Sequence, residues 1–468
     1  MKRLAPLVYL ATLLAASAHA APSAPPHAAP SAPPHAAPAA PLPVAPAVMA
    51  APPTATPPQE PPTPTEPELS IDQAVAIALA RNRDVIAAKL QIREAELDRV
   101  EAGLYWNPTL QYSVGNVILG DGNGQNANLH PGAFSQLVQT IGVSDVIDVW
   151  AKRSARTHAA DLGIDQRRLA VEDALRDIVY DVRSAFADVA REQSERDLSR
   201  ETRDRYADTV RLSRSRFSAG EISNAELSKI ELEGLKYENA VIDAEQEYDV
   251  ARQKLAALLG IGTELPFHAS FPVPRDVNVS LPALITDALA RRPDLLAAKS
   301  DQRFASASLT SARREALPDI SLGVGYTHSG FQVSGDNPNT LALSLSAPLP
   351  IFDRNQAGIG RAELAIRRAE NDTARIELVV RREVTESVRR VGRAQALLGV
   401  YEGGGMLQRS ESALNVAEKS YKAGAISLLE LLEARRTYID TQASYLRAQH
   451  DLRQSTVDLA HAVGESPK

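Results

Sequence analysis

The chain has 468 residues, of which 23% are charged and 44% hydrophobic, a balance typical of folded proteins rather than disordered ones. Its formal net charge is −7, which argues against a nucleic-acid-binding surface because such surfaces are basic. The chain contains no cysteine, so we expect no disulfides, no thiolate metal ligands, no cysteine nucleophile and no lipid anchor on cysteine.

The first 20 residues have the pattern of a signal peptide. Lys2 and Arg3 precede an apolar run, and Ala18-His19-Ala20 resembles a cleavage site. The run is too short to cross a bilayer as a helix, which takes about 20 residues, so we expect an exported chain. Residues 21–68 are rich in Ala and Pro and contain the octapeptide APSAPPHA twice, which predicts a disordered, extended linker.

The remainder of the chain contains an internal duplication. Residues 79–84 (LARNRD) resemble residues 289–294 (LARRPD). Pro108 and Pro318, each of which precedes an alternating apolar segment, are likewise 210 positions apart (318 − 108). Matches in the same order along the chain indicate two structural repeats.

The second part of each repeat carries its own match. Residues 216–223 (RFSAGEIS) resemble residues 420–427 (SYKAGAIS), 204 positions later (420 − 216). Each half then closes on a helix that ends in glycine. We place the first repeat at 69–260, an inter-repeat linker at 261–279, the second repeat at 280–464 and a short tail at 465–468.

Each repeat is predicted to contain a short helix, a β-hairpin, a long helix, a tight turn and a returning helix. Strict alternation of apolar and polar residues predicts strands at about 109–117, 133–145, 319–328 and 340–349. Segments of about ten residues are long enough to cross a bilayer as tilted strands. Four strands cannot close a barrel of useful width, and open edges are not viable in lipid, so several chains would have to share one barrel.

The long helices are the other unusual feature. Apolar residues at helical spacing predict one helix from Lys152 to Phe217, roughly 100 Å long at 1.5 Å per residue, and a counterpart over 354–421. Three glycines at 403–405 should interrupt the counterpart. The returning helix 222–259 is shorter, and the helix 84–103 could stack on its end. Helices this long need partners along their length, which predicts coiled packing.

Glycines mark the points where both helical hairpins reverse. Gly220 and Gly424 suit the left-handed conformation that commonly ends a helix. Ser223 and Ser427 follow as predicted N-caps, with a glutamate three residues after each serine, which is the capping-box pattern.

These features resemble the family of TolC-like outer-membrane efflux proteins, over about residues 68–464. The resemblance rests on the twofold repeat, on the Tyr/Phe-x-x-Gly tips at 217–220 and 421–424, and on the run LLELLEAR at 428–435. Residues 348–356 (PLPIFDRNQ) are similar to the branch that serves cobalt–zinc–cadmium pumps.

The resemblance implies a mainly α fold with a transmembrane β part, in the outer membrane of a Gram-negative bacterium. It implies a homotrimer whose 12-stranded barrel, surrounded by outer-membrane lipid, continues into a helical tunnel through the periplasm. The partners implied are a periplasmic adaptor, also called a membrane fusion protein, and an inner-membrane resistance-nodulation-division transporter, which supplies the energy. The function implied is a channel for heavy-metal cations.

The resemblance also implies a gate at the hairpin tips. Matching the tip motif places Glu430 and Glu433 at the family's acidic constriction, where threefold symmetry would bring six carboxylates near the axis and attract cations. Glu430 could instead cap its helix, and Glu433 could lie on a solvated face. The remaining gate residues implied are Glu226, Phe217, Gly220, Tyr421 and Gly424. A basic residue expected two positions after Gly424 is replaced by Ile426.

Three alternatives stay open. An enzyme is disfavoured because the sequence has no phosphate-binding glycine loop, nucleophile elbow or paired histidine motif, so no catalytic residue, cofactor or metal ligand is predicted. A soluble periplasmic coiled-coil adaptor would lack the alternating strands. The same fold could also carry drugs or secreted polypeptides instead of metal cations.

Overall fold

The described residues of the computed structural model are 68–116, 137–262, 268–274, 280–330 and 337–465. The chain divides into two units, Met1–Thr63 and Pro64–Lys468, and the described residues all lie in the second. The predicted signal peptide and the Ala/Pro-rich segment up to residue 67 lie outside the described residues.

The two halves of this unit have the same order of elements. The first half contains β1 (Glu68–Ser70), α1 (Ile71–Arg81), α2 (Arg83–Gly103), β2 (Thr109–Gly115), β3 (Val138–Ile147), α3 (Lys152–Ser218) and α4 (Asn224–Leu259). The second half contains β4 (His268–Ser270), α5 (Leu281–Arg291), α6 (Pro293–Glu315), β5 (Ile320–Ser329), β6 (Asn339–Ser346), α7 (Gln356–Gly403), α8 (Met406–Lys422) and α9 (Leu428–Val463). The single long helix α3 corresponds to two helices, α7 and α8.

Helix α3 runs for 67 residues without a break, within one residue of the predicted end. Its counterpart is broken where the three glycines stand, as expected. There, Gly405 has a φ of +63°, which glycine adopts more readily than other residues. The helical path therefore resumes at Met406 as a separate helix.

Strands β2, β3, β5 and β6 form an antiparallel sheet in the order β2-β3-β5-β6. The central pair β3–β5 joins the two halves of the chain, with Ile141 opposite Tyr326 and Ile147 opposite Ile320. Strand β6 ends at Ser346, three residues before the predicted end, because Pro348 and Pro350 remove the N–H groups that would continue it. Among the described residues β2 and β6 each pair on one side, so the sheet has two open edges.

The pleat sorts the side chains of this sheet onto two different faces. The apolar face is formed mainly by Leu110, Tyr112, Val114, Ile141, Val143, Leu322, Val324, Tyr326, Leu341, Leu343 and Leu345. Towards the two ends of the strands the same face also carries Asp145 at one end and Gln139, His328 and Asn339 at the other. The small-residue face is formed by Gln111, Ser113, Thr140, Gly142, Ser144, Gly323, Gly325, Thr327, Ala342 and Ser344. Leu343 is 81% exposed, so the apolar face is uncovered in the single chain.

A second, small sheet was not predicted. Strand β1 pairs in parallel with β4, and Leu69 lies opposite Ala269. Strand β4 falls inside the segment that the sequence predicts as an inter-repeat linker. It is held against α3 because the Ala269 N–H donates to the Gln193 side chain at 3.0 Å.

Helices α2 and α4 follow one another along α3. Near the sheet, Arg99 of α2 pairs with Asp161 of α3 at 2.6 Å. Further along α3, Glu245 of α4 pairs with Arg200, also at 2.6 Å. The C-terminal end of α4 meets the start of α2, in agreement with the predicted end-to-end stacking. Helices α6 and α9 lie along α7 in the same way.

A buried core lies where α1, α3, α4 and β4 meet. It contains small and branched residues together with one fully buried phenylalanine; its central members are Ala74, Val182, Phe186, Leu255 and Leu259. This core fixes the end of α4 that lies far from the hairpin turn. Within the described residues, no helix is both long and apolar enough to cross a membrane.

Candidate functional site

The candidate site is the pair of turns that join α3 to α4 and α8 to α9. Gly220 and Gly424 occupy these turns with φ values of +79° and +73°. A Cβ atom on Gly220 would meet no heavy atom within 4 Å, so the glycine is required by its backbone conformation rather than by lack of space. The predicted left-handed conformation is therefore confirmed at both glycines.

The serines that follow the glycines cap the returning helices. The Glu226 N–H donates to Ser223 Oγ at 3.2 Å. The Glu430 N–H donates to Ser427 Oγ at 3.4 Å, and Glu430 Oε2 accepts from the Ser427 N–H at 3.1 Å. The second tip thus has a complete capping box. One carboxylate oxygen of Glu430 therefore takes part in capping α9, which is the alternative role predicted from the sequence for this residue.

The three acidic residues predicted at the constriction are spread over both tips. Glu430 and Glu433 are exposed on the first two turns of α9, and Glu226 is half-buried on the first turn of α4. Within the described residues none of the three forms an ion pair, so their charge is not neutralised inside one chain. Phe217, the aromatic residue of the first tip, is exposed.

Tyr421 is placed differently from Phe217, its counterpart in the first repeat. It is 3% exposed and packs in a cluster with Leu414 and Leu431. Its hydroxyl group is buried and has no hydrogen-bond partner within the described residues. A cavity of about 50 Å³ lies beside it, lined by Arg205, Asp208, Thr209, Leu212, Glu418, Tyr421, Lys422 and Leu431.

Arg216 is a residue of the tips that the sequence reasoning missed. It donates from Nη1 to the Tyr421 carbonyl at 3.2 Å and from Nη2 to the Lys422 carbonyl at 2.8 Å. One feature of the sequence could have indicated it: the first repeat has an arginine at this position, whereas the aligned position in the second repeat is Ser420. Arg216 joins the first tip to the second.

Two further arginine–tyrosine contacts connect the hairpins behind the tips. Arg205 of α3 lies 5.7 Å from the ring centre of Tyr438 on α9. Arg435 of α9 lies 4.8 Å from the ring centre of Tyr206 on α3. A cation that lies over the face of an aromatic ring is attracted to the ring, and this attraction is stronger where water is excluded.

Arg435 is the more deeply buried of the two arginines, at 1% exposed. It pairs with Glu418 of α8 at 2.7 Å, which compensates its buried charge. Burial also raises the pKa of Tyr206 well above its ordinary value, and its hydroxyl donates to the Ile230 carbonyl at 3.1 Å.

The described residues contain no group of three or more potential metal ligands arranged to hold an ion. What the tips present is a pair of capped helix ends, unpaired carboxylates and arginine contacts between hairpins. Such an arrangement can attract cations and can be held in one geometry.

One family model, described as outer membrane efflux protein, matches residues 74–261 and 284–465. Each matched segment contains one long helical hairpin and one tip. The two segments together cover well over half of the chain.

The chain is also similar to individual proteins of known name over most of its length. The pyoverdine export outer membrane protein OpmQ of Pseudomonas putida is 27% identical over 410 residues, which cover 84% of this chain and 85% of OpmQ. The cobalt-zinc-cadmium resistance protein CzcC of Cupriavidus metallidurans is 24% identical over 400 residues, which cover 85% of this chain and 90% of CzcC.

Solved structures share the fold. CusC superimposes with a TM-score of 0.67 at 19% identity, over 84% of this chain and 92% of its own. The outer membrane protein VceC of Vibrio cholerae also gives a TM-score of 0.67, at 18% identity, over 85% of this chain and 97% of its own. With the family model matched across both halves, the chain belongs to the outer membrane efflux protein family.

Proposed function

We propose that three copies of the chain form an outer-membrane duct, with a shared 12-stranded barrel and a helical tunnel in the periplasm. The observation that carries this proposal is the four-stranded sheet, which in the described residues has two open edges and an uncovered apolar face. Unpaired strand edges are not tolerated in lipid, and four strands are too few to close a barrel. Three sheets joined edge to edge would give the backbone N–H and C=O groups of every edge strand a hydrogen-bond partner.

The two faces of the sheet support the same arrangement. The apolar face suits lipid hydrocarbon, and the small-residue face suits a water-filled lumen. Within the described strand residues, the small-residue face carries no charged side chain, so the barrel wall would discriminate little by charge. Any electrostatic preference would then arise at the hairpin tips.

The duct would work as one part of a three-component pump and would catalyse no reaction itself. Its tips would meet a periplasmic adaptor, and a proton-driven transporter of the inner membrane would supply the energy. The length of α3, with the tips at one end and the sheet at the other, supports a periplasmic span of this kind.

We propose metal cations as the cargo. The support is the set of carboxylates at Glu226, Glu430 and Glu433, which form no ion pair within the described residues and which three copies would gather around one axis, together with the likeness to CzcC. The likeness to OpmQ supports a second candidate, an organic cargo such as a siderophore or a drug. The acidic tips favour the cation.

Reconstitution in planar bilayers tests the constriction. The double variant Glu430→Gln, Glu433→Gln should lose cation-over-anion preference, measured as a reversal potential that moves toward zero in a salt gradient. Asp440→Asn is the matched control, because Asp440 is exposed on the same helix but further from the turn. An unchanged reversal potential in the double variant would contradict a constriction at these residues.

A deletion strain tests the cargo. Loss of the gene should increase sensitivity to divalent zinc, cobalt or cadmium, and the wild-type gene on a plasmid should restore growth. Increased sensitivity to antibiotics alone would overturn the metal assignment and leave the duct itself in place.

A further inference from the structure

Arg216 bonds to the end of α8, where backbone N–H groups of the turn reach the carbonyls of residues 419–421 but not that of Lys422. The last carbonyls of α8 have no partner within their own helix, as at every helix C-terminus, and they form the negative end of its dipole. The Tyr421 carbonyl accepts from the Gly424 N–H at 3.0 Å, and the Lys422 carbonyl accepts from Arg216. A cation from the first hairpin thus completes the C-terminal cap of the second.

The geometry of this contact suits arginine in particular. The two Nη atoms reach two successive carbonyls, which the planar guanidinium fork can do and a lysine ammonium cannot do in the same way. The Arg216 guanidinium also lies 5.4 Å from the centre of the Tyr421 ring, and its Nε is 3.6 Å from Glu221. The side chain is only 17% exposed, so these contacts are partly screened from water.

The contact also lies next to the predicted constriction. Tyr421 and Lys422 are the last residues before the turn at Gly424, and α9 with its exposed glutamates begins at Leu428. Because Tyr421 packs in one cluster with Leu431 of α9, a shift of the end of α8 would also displace the part of α9 that carries Glu430 and Glu433. We call Arg216 and the two carbonyls that it binds the tip clamp.

We propose that Arg216 is a positioning residue of the gate. The tip clamp holds the second tip against the first and so fixes the positions of Glu430 and Glu433 while the duct is closed. This inference rests on the proposed function as a duct. Opening then requires both hairpins of a copy to move together, or the tip clamp to break.

Two variants and one control test the tip clamp. Arg216→Gln removes the charge and the fork, and we expect the open fraction of the reconstituted duct to rise by at least about tenfold, because both charge-assisted hydrogen bonds are lost. Arg216→Lys keeps the charge and should give an intermediate increase. Arg214→Gln is the control, because Arg214 is 63% exposed and pairs with Glu231 inside the first hairpin.

Spin labels report the tip geometry independently of conduction. Because the chain contains no cysteine, Ser218→Cys and Ala425→Cys place two labels, one on each exposed turn. The distance distribution between them should broaden in Arg216→Gln and stay unchanged in Arg214→Gln. Circular dichroism and trimer mobility on gels show that each variant is folded, and if Arg216→Gln fails to fold, Arg216→Lys decides.

The two proposals fail in different ways. If Arg216→Gln leaves both the distance distribution and the open fraction as in the wild type, or if Arg214→Gln changes them equally, the tip clamp is wrong. If the wild-type chain conducts no ions in a bilayer, the duct is wrong, and the spin-label distances in detergent still decide whether Arg216 holds the tips together.

Discussion

Gly260 and Gly464 end the two returning helices in the left-handed conformation, with φ values of +65° and +81°. A Cβ atom on Gly260 would lie 2.6 Å from the Arg81 carbonyl oxygen, and one on Gly464 would lie 3.0 Å from Arg292 Cα. Each glycine therefore satisfies two requirements, a positive φ and a close approach of backbone to backbone.

Gly260→Ala should lower the free energy of unfolding by about 2–4 kcal/mol, because the alanine must adopt a left-handed conformation and displace backbone atoms rather than a flexible side chain. Gly262→Ala is the control, since a Cβ atom there meets nothing within 4 Å and its φ is not positive. Thermal unfolding in detergent, followed by circular dichroism, measures the difference. Equal midpoints for the two variants would contradict the close-approach argument.

At the scale of elements, the two repeats build the same junction with different chemistry. Asn82 Nδ2 donates to the Leu258 carbonyl at 2.7 Å, and Arg292 Nη1 donates to the Ala462 carbonyl at 3.2 Å. Both contacts tie the start of one helix to the end of the returning helix. The first junction is neutral, whereas Arg292 also pairs with Asp294 at 2.7 Å and with Glu383 at 2.6 Å.

The charged junction should make the second repeat sensitive to acid. Burial alone would raise the pKa of Asp294, but the hydrogen bond and charge of Arg292 outweigh burial and hold that pKa below its ordinary value of 3.8. A lowered folded-state pKa contributes stability above pH ~4, and this stability is lost as the pH falls through the folded value.

Asp294→Asn should therefore cost about 2 kcal/mol of unfolding free energy at pH 7 and progressively less as the pH falls below ~4. Asn82 also caps α2, because its side chain accepts from the Asp84 N–H at 2.7 Å. Asn82→Ala removes this neutral cap and the bond to the Leu258 carbonyl, and should cost about 1–3 kcal/mol with little dependence on pH. Denaturant unfolding of both variants and the wild type across this pH range provides the comparison. A pH-independent deficit in Asp294→Asn would show that its ion pair contributes nothing.

At the scale of the whole molecule, the sheet has to be exposed to lipid on one face and to water on the other if three copies share a barrel. Leu343 and Ala342 are neighbours on β6 that lie on opposite faces, opposite Val324 and Gly325 respectively. They provide a matched pair of positions that differ in the face they occupy.

Leu343→Arg should reduce assembly into the outer membrane, because an arginine on the lipid face costs about 2–4 kcal/mol in each copy. Ala342→Arg places the same charge in the lumen, so the trimer should assemble and its conductance should fall. Membrane fractionation and gel mobility of unheated samples measure assembly. Normal assembly of Leu343→Arg would argue that this face does not contact lipid.

The amino-acid sequence by itself determined the long helices, the four strands of the larger sheet and the turns at the tips. The lengths of α3 and α4, the break at Gly405, the glycines of both tips and the serine caps follow from patterns within a few residues of one another, because helix period, positive φ and capping are local properties. The alternation along β5 and β6 likewise records which side chains share a face.

Only the tertiary structure decided which distant surfaces meet. The pairing of β3 with β5, the small parallel sheet and the contact of Arg216 with the end of α8 join residues about 200 positions apart. An arginine on a charge-rich helix has the same local pattern whether it faces water or caps another helix. The sequence shows that a charged residue is present, but only folding brings the partner with which that residue interacts into contact with it.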